Sequence, residues 1–455
     1  MKNTAQVIKD ELQTASTAPQ LEMLATDQRK YRYWRIRVLY ATILGYAAFY
    51  LVRMNFAMVN PTLISEFGYS KAQLGSIATA FSIIYGFGKF FNGYISDHSN
   101  GRVFLTRARF FMAFGLLGSG LVNIFIGFWE SLLMLGIFWG VNGWFQSMGW
   151  PPVARLLTHW YSPKEIGTKW GMWSASHQIG TLASTILAGY LIKYYSWQAA
   201  FLVPGILSMI GVFFLINRLR DTPSSVGLPP IEVYKKLSTD NLEAEDENLS
   251  HKELLGRVVK NKLVWCTCMA NMSLYTVRFG VLFWAPTMLQ EMKGSQLLTY
   301  TWQTVALEIG GLLGGLFAGF ISDRVFKGRR GPVSVIYMTG LVAALLYFWY
   351  APAGYSVLDA AILWFVGFLV SGPQVLAGIS VTDFASKKAA GLATGLNGTF
   401  GYLGAAISGV GVGKMVDLYG WDGGFLLFVG AAILGIVFFA LTWHGRSAAL
   451  ENTSK

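Results

Sequence analysis

Five ionisable side chains, Arg53, Lys89, His177, Arg278 and Glu308, fall well inside long apolar runs of this 455-residue chain. A buried Arg or Lys costs ~2.5–3.5 kcal/mol even on the lenient insertion scale, so the three cations together cost on the order of 8–10 kcal/mol. Something must offset that. Glu308 is the one carboxylate deep within the same runs, which leaves the set strongly positive and suited to a polyvalent anion. Spacing sharpens the chemistry. Tyr46, Tyr50 and Arg53 stand at i, i+4 and i+7, one face of a helix. Tyr85 and Lys89 are i, i+4, and Tyr275 and Arg278 are i, i+3. Two guanidinium forks with tyrosine hydroxyls suit a phosphate, which Arg binds bidentately, whereas a carboxylate needs a single fork.

Each residue has a plainer role open to it. An arginine can snorkel or bond backbone carbonyls, but Arg53 and Arg278 each lie eight residues before a proline, Pro61 and Pro286, ~12 Å along a helix axis. Lys89 is two turns from Asp97, so both snorkelling and substrate contact stay open. His177, beside Gln178, is either a satisfied core histidine or a phosphate partner that changes charge near neutral pH. Glu308, before Ile-Gly-Gly, either pairs helices or meets a sugar hydroxyl.

Enzyme chemistry is missing from the sequence. Gly409-Val-Gly-Val-Gly413-Lys414 lacks the glycine and the Ser/Thr of a phosphate-binding loop, and reads as close helix packing. Cys266 and Cys268 are spaced i, i+2, on different sides of a helix, so neither a disulfide nor a metal site follows. No metal, cofactor or catalytic triad is expected.

The elements that must position these groups follow from composition. Hydrophobic residues make up 53% and charged residues 13%, half the ~25% of an average soluble protein, and the mean hydropathy is +0.44. Such a chain cannot cover a water-facing surface. The net charge of +12 is read as basic cytoplasmic loops rather than nucleic-acid binding. Twelve runs are long enough to span a bilayer as helices: 38–59, 72–95, 104–127, 131–152, 168–191, 198–217, 263–285, 301–321, 333–350, 357–378, 391–413 and 423–443. They are too long and lack the alternation for strands.

Basic residues set the orientation. Arg102, Arg107 and Arg109 follow the second run; Arg324, Lys327, Arg329 and Arg330 follow the eighth; Lys387 and Lys388 follow the tenth. Isolated Lys71, Lys193 and Lys293 mark the other side. Both termini are therefore expected in the cytoplasm. The segment 1–37, charged and without an apolar stretch, is a cytoplasmic tail and not a signal peptide; 444–455 is a second tail. Residues 218–262, with Pro223, Pro229, Pro230 and an acidic run, read as a cytoplasmic linker between a first half at 38–217 and a second at 263–443.

The halves repeat. Tyr50-Leu-Val-Arg53 and Pro61 recur as Tyr275-Thr-Val-Arg278 and Pro286, and Gly93-Tyr-Ile-Ser-Asp97 as Gly319-Phe-Ile-Ser-Asp323. Gly167, Gly171, Gly180, Trp197 and Phe201 recur as Gly391, Gly395, Gly404, Trp421 and Phe425. Two homologous six-helix halves are a transporter architecture with a midplane site at their interface, where Arg53 and Arg278 should face each other across a pseudo-twofold axis.

The two Gly-x-x-x-Asp loops resemble the signature of the major facilitator superfamily. Asp97 and Asp323 are expected to accept bonds from a neighbouring helix end and from nearby arginines, Arg102 and Arg324 among the gating set, and so to latch or fix the cytoplasmic ends rather than touch substrate. Further motifs narrow the resemblance: Gly45-Tyr-Ala-Ala-Phe-Tyr-Leu-Val-Arg53-Met-Asn-Phe, Tyr85-Gly-Phe-Gly-Lys89, Ile95-Ser-Asp-His-Ser-Asn100, Gly149-Trp-Pro-Pro152, Arg220-Asp-Thr-Pro223 with Gly227-Leu-Pro-Pro230, and Gly420-Trp-Asp-Gly-Gly-Phe425. From about Tyr31 to Thr442 the chain resembles the bacterial organophosphate:inorganic phosphate antiporters, which include glycerol-3-phosphate and hexose-phosphate carriers. The resemblance implies an all-α membrane protein of twelve transmembrane helices in two pseudo-symmetric halves. It implies phosphate binding by Arg53 and Arg278, assisted by Lys89, His177 and the tyrosines. It also implies a multi-pass protein of the bacterial inner membrane, working without cofactor, in a fold that can work as a monomer. Glu308-Ile-Gly-Gly and Gly372-Pro-Gln374 lean to the hexose-phosphate branch, for a substrate such as glucose 6-phosphate. The linker and the segment after Trp421 lean to glycerol 3-phosphate. Thr394 and Asn397 stand where hexose-phosphate carriers place Asp and Lys. The same branch holds sensors of external glucose 6-phosphate, so a receptor is the other reading, and a proton symporter titrating His177 or Glu308 a third.

Overall fold

The computed structural model describes residues 28–98, 107–234, 256, 258–385 and 389–445. Among them there is no strand. The helices are α1 at 28–51, α2 Asn55–Phe67, α3 Lys71–His98, α4 Ala108–Ile126, α5 Leu132–Gln146, α6 Trp150–Trp160, α7 Pro163–Tyr194 and α8 Ala199–Arg218. After the junction come α9 Lys262–Lys293, α10 Leu297–Arg324, α11 Arg330–Tyr350, α12 Ser356–Phe384, α13 Ala390–Ala406 and α14 Val412–Leu441.

Eight helical runs among the described residues are long and apolar enough to cross a membrane by length and composition. They account for nine of the twelve expected spans, because Gly391–Leu441 is one 51-residue run. It folds back at Gly420, whose φ of 66° is open to a residue without Cβ. The other three spans are α5, short at 15 residues, and α7 and α9, each 32 residues long. α7 and α9 carry His177 and Arg278, and their polar content is what an inward-facing wall requires.

Several boundaries differ from the sequence expectation. The first span runs on through Pro61 to Phe67 and the seventh through Pro286 to Lys293. Both stop at a glycine with φ 67°, Gly68 and Gly294. A proline removes one N–H but does not end a helix held by neighbours. The fourth span does not continue to residue 152. It ends at Gln146, and Trp150-Pro151-Pro152 starts a new helix, prolines being tolerated in a first turn. Residues 219–234 dock onto the first half. The Trp160 indole donates to the Arg220 carbonyl (2.9 Å), Tyr31 stacks on Tyr234 (3.8 Å between centroids), and Leu228 and Ile231 are buried.

Large apolar side chains such as Phe90, Phe213, Leu316 and Phe320 are exposed around the outside, as lipid solvation demands. The halves meet where α3 packs on α13 and the start of α14, where α7 packs on α10, and where α2 packs on α9. This set maps onto itself under the repeat. Repeat-related glycines let helices close on one another, both within each half and between the halves. A Cβ on Gly180 would lie 2.5 Å from the Ala47 carbonyl oxygen, and one on its mate Gly404 2.0 Å from that of Met272, itself the mate of Ala47. Gly189 closes on Thr301 and its mate Gly413 on the Lys71 carbonyl. By contrast, among the described residues nothing lies within 4 Å of a Cβ placed on Gly167 or Gly171 of α7 or on their mates Gly391 and Gly395. Among the described residues the two halves are in close contact at the end bearing residues 60–79, 283–301 and 406–421.

Candidate functional site

Arg53 sits in a break of the first span. Residues 52–54 are not helical, and the carbonyls this strands are met by side chains from three other helices. Val52 O accepts from Asn123 Nδ2 (2.9 Å) and Asn142 Nδ2 (3.0 Å), Phe49 O from Gln146 Nε2 (2.9 Å), and Leu51 O from Ser184 Oγ (3.0 Å). Asn55 Nδ2 in turn donates to Asn123 Oδ1 (2.9 Å). A bare carbonyl in a bilayer costs several kcal/mol, so this lattice is what permits the break. The sequence signal was there in the polar residues of the third and fourth spans, but it is weaker than a charge.

The Arg53 guanidinium is buried and walled by rings. Its carbon lies 4.6 Å from the centroid of Tyr85, 5.1 Å from Phe81, 5.2 Å from Tyr50 and 5.9 Å from Phe279. Among the described residues no carboxylate pairs with it. Cation–π contact offsets burial by ~0.5–2 kcal/mol per ring without using any N–H. The donors of Arg53 thus stay available. Lys89 is treated the same way, its Nζ 4.4 Å from the Trp150 ring centroid and 6.0 Å from that of Tyr402.

Arg278 is held differently. It lies in unbroken helix, Nη1 donates to Ser371 Oγ (2.7 Å), and it lines a small cavity with buried Glu308. That cavity is otherwise apolar, walled by Val277, Val281 and Val366 among others. Leu282 lines both this cavity and the one containing Arg53.

His177 Nδ1 is 2.8 Å from the Ser174 carbonyl oxygen, which fixes the proton on Nδ1 and leaves Nε2 to a ligand. The ring is cupped by Tyr46, Tyr50 and Trp173, with centroids 5.1, 5.2 and 5.1 Å away. Arg278, Arg53 and Lys89 all act on it electrostatically, so the histidine and the three cations share one field. Tyr275 OH accepts from Gln374 Nε2 at 3.4 Å. Tyr85 lies 4.6 Å from Tyr402, which is 6.1 Å from Tyr275, again between centroids.

The structure therefore brings Arg53, Arg278, Lys89, His177, Tyr46, Tyr50, Tyr85 and Tyr275 together where the halves meet, while Glu308 lies beside Arg278 in a cavity walled by second-half residues. Sequence reasoning missed Tyr402, Trp150, Trp173, Phe279, Ser371 and Gln374 as site residues. Tyr402 is the repeat mate of Gln178, beside His177, and that pairing could have found it.

Of the expected latch residues, Arg102 and the side chain of Asp97 lie outside the described residues, as do Lys387 and Lys388. Asp323 is bonded by Arg330, not by Arg324. Arg330 also donates to Ser322 Oγ (2.9 Å) and reaches Asp383 (3.7 Å), while the Arg324 guanidinium lies over the Phe320 ring at 5.5 Å. Arg324 extends from the helix end toward the outer aromatic surface, whereas Arg330 starts the next helix and points back. No group of His, Cys, Asp and Glu among the described residues could hold a metal ion.

Comparison with known proteins supplies the context. A family model described as Major Facilitator Superfamily matches residues 42–409. A probable hexose phosphate transport protein of Chlamydia pneumoniae is 41% identical over 94% of each chain. The glycerol-3-phosphate transporter of Bacillus subtilis is also 41% identical, over 94% of this chain and 97% of its own. The hexose-6-phosphate:phosphate antiporter of Escherichia coli is 34% identical over 86% of each. Among solved structures, an inward-facing, unoccupied bacterial homologue of the human lysosomal transporter Spinster superposes with a TM-score of 0.72, at 14% identity over 90% of this chain and 97% of its own.

Proposed function

The chain belongs to the organophosphate:inorganic phosphate antiporters of the major facilitator superfamily, and we propose that it carries a hexose phosphate such as glucose 6-phosphate inward in exchange for inorganic phosphate. It is a multi-pass membrane transporter and not an enzyme. The halves at 38–217 and 263–443 rock about the midplane site, joined by the linker at 218–262, in a bacterial inner membrane with both termini in the cytoplasm, as a monomer.

The observation that carries the reading is the way Arg53 is held, by four rings and, among the described residues, no carboxylate. A structural arginine would be given hydrogen-bond partners. One whose donors stay open inside a cavity is built for an acceptor that arrives, and a phosphate fits its fork. Arg278 supplies the second fork, Lys89 and His177 Nε2 the further contacts, and Glu308 a hydrogen-bond acceptor for a sugar hydroxyl. Empty, the cations repel one another in a site from which water must be expelled for both ends to close. A bound phosphate neutralises them, so the closed, crossing state is reached with an anion aboard. Exchange follows from that condition.

The equal identity to a glycerol-3-phosphate transporter keeps glycerol 3-phosphate as the second substrate reading. Liposomes loaded with inorganic phosphate decide between them. Labelled phosphate should enter, and glucose 6-phosphate should compete far better than glycerol 3-phosphate. The reverse order makes it a glycerol-phosphate carrier. Sugar-phosphate binding without any exchange makes it a receptor and overturns the proposal.

A further inference from the structure

We propose that the ends of α1, α4 and α8 form a site for the phosphodiester headgroup of an anionic phospholipid. Arg37 and Arg220 both lie over one indole, Trp34, with guanidinium carbons 4.8 and 5.3 Å from its centroid. Both also converge on one carbonyl at the end of α8. Arg37 Nη2 donates to Asn217 O (2.9 Å) and Oδ1 (3.2 Å), and Arg220 Nη1 to Asn217 O (3.0 Å) and Leu219 O (2.6 Å). Arg109 adds a third guanidinium close enough to act on Arg220 together with Arg37. Asp221 pairs with Arg109, with Nε 3.8 Å from Oδ2, and is the one carboxylate recorded against the three among the described residues. The end of a helix contributes only about half a negative charge. The cluster is left net positive, and Nε of Arg37 is buried with no hydrogen-bond partner.

What lies beside the charges selects the ligand. Along α1 and α8, Ile36 is 56% exposed and Phe213 74%, with Tyr33, Ile210 and Ile216 exposed near them. Tyr40 and Phe214, 6.3 Å apart, join the two helices there. A charged cap above an apolar strip matches a lipid, headgroup on the arginines and acyl chain on the strip. A soluble phosphate would leave the strip unused. Basic pockets between transmembrane helices bind anionic headgroups by this combination. The site lies on the outer face of the first half and is separate from the transport cavity.

The test is lipid retention. Purified protein is equilibrated with equal phosphatidylglycerol and phosphatidylcholine, and bound lipid is counted by native mass spectrometry. Wild type should retain phosphatidylglycerol preferentially, and Arg37→Gln with Arg220→Gln should cut that preference about tenfold. Arg324→Gln with Lys327→Gln, at another basic end, should leave it unchanged. Millimolar inorganic phosphate should not displace the lipid. Equal retention of the two lipids by wild type, an unchanged preference in the double variant, or displacement by phosphate overturns the site. Wild-type preference and its phosphate competition decide by themselves where the double variant does not survive purification.

Discussion

Asn142 donates from its side-chain amide to the carbonyl of Val52, 3.0 Å away, at the break in the first span just before Arg53. A residue of the fourth span thereby sets the position of the cation that the site depends on. Removing it leaves Val52 O with Asn123 alone.

Asn142→Ala should therefore cost about 1–3 kcal/mol of stability and also weaken phosphate binding, since the guanidinium is no longer fixed. Thermal unfolding in detergent and phosphate titration check the two effects. Lost stability with unchanged phosphate affinity would separate the break from the site.

Arg53→Gln should remove two charge-assisted hydrogen bonds, about 1.5–3 kcal/mol each, and lower phosphate exchange by roughly two to four decades. Arg53→Lys keeps the charge and loses the fork, so it should fall between the two. Exchange in proteoliposomes reads both. Normal exchange by Arg53→Gln would sink the proposed mechanism.

Trp150→Leu tests whether Lys89 touches substrate. Its Nζ rests on this indole, and losing a desolvated cation–π contact of about 2 kcal/mol should raise the apparent KM by up to ~30-fold. Trp150→Phe should recover most of the loss. A lysine that merely reaches for water would leave KM where it was.

The closed end is fastened by charge. Asp417 Oδ1 and Oδ2 accept from the Lys71 and Ala72 backbone N–H groups at 3.1 and 2.7 Å, Lys71 pairs with Glu291 at 3.1 Å, and Trp421 donates to Glu291 at 2.8 Å. Asp417→Asn removes a carboxylate from a helix amino end, worth about 0.3–1 kcal/mol at such an exposed position. The population should shift two- to fivefold toward the form open at this end. Distances between spin labels across that end measure it, and high salt should act in the same direction.

Apolar length and the repeat made the helices and the five ionisable residues legible, because a charge inside an apolar run stands out from composition alone. Tyr402, Trp150 and Ser371 did not stand out. An aromatic or a serine is ordinary in a membrane helix, and its role arises only when another helix brings a cation against it. The break at Arg53 escaped for a related reason. Its cause lies in Asn123, Asn142, Gln146 and Ser184, distant in sequence, while the local run from 38 to 59 reads as continuous helix. Asp323 accepts from Arg330, and which of the loop's arginines would face it was not legible because the turn, not the spacing, decides that.

Among the described residues Gly167, Gly171, Gly391 and Gly395 stand bare while Gly180, Gly404, Gly189 and Gly413 are seated. α7 is one rod of 32 residues, ~48 Å long, and the run through α13 is nearly as continuous. Such a rod is a lever. Here it is seated against its neighbours at one end, at Gly180 and Gly189. In the proposed alternating cycle these glycines would be the smooth surface on which the other half lands when the opposite end lifts.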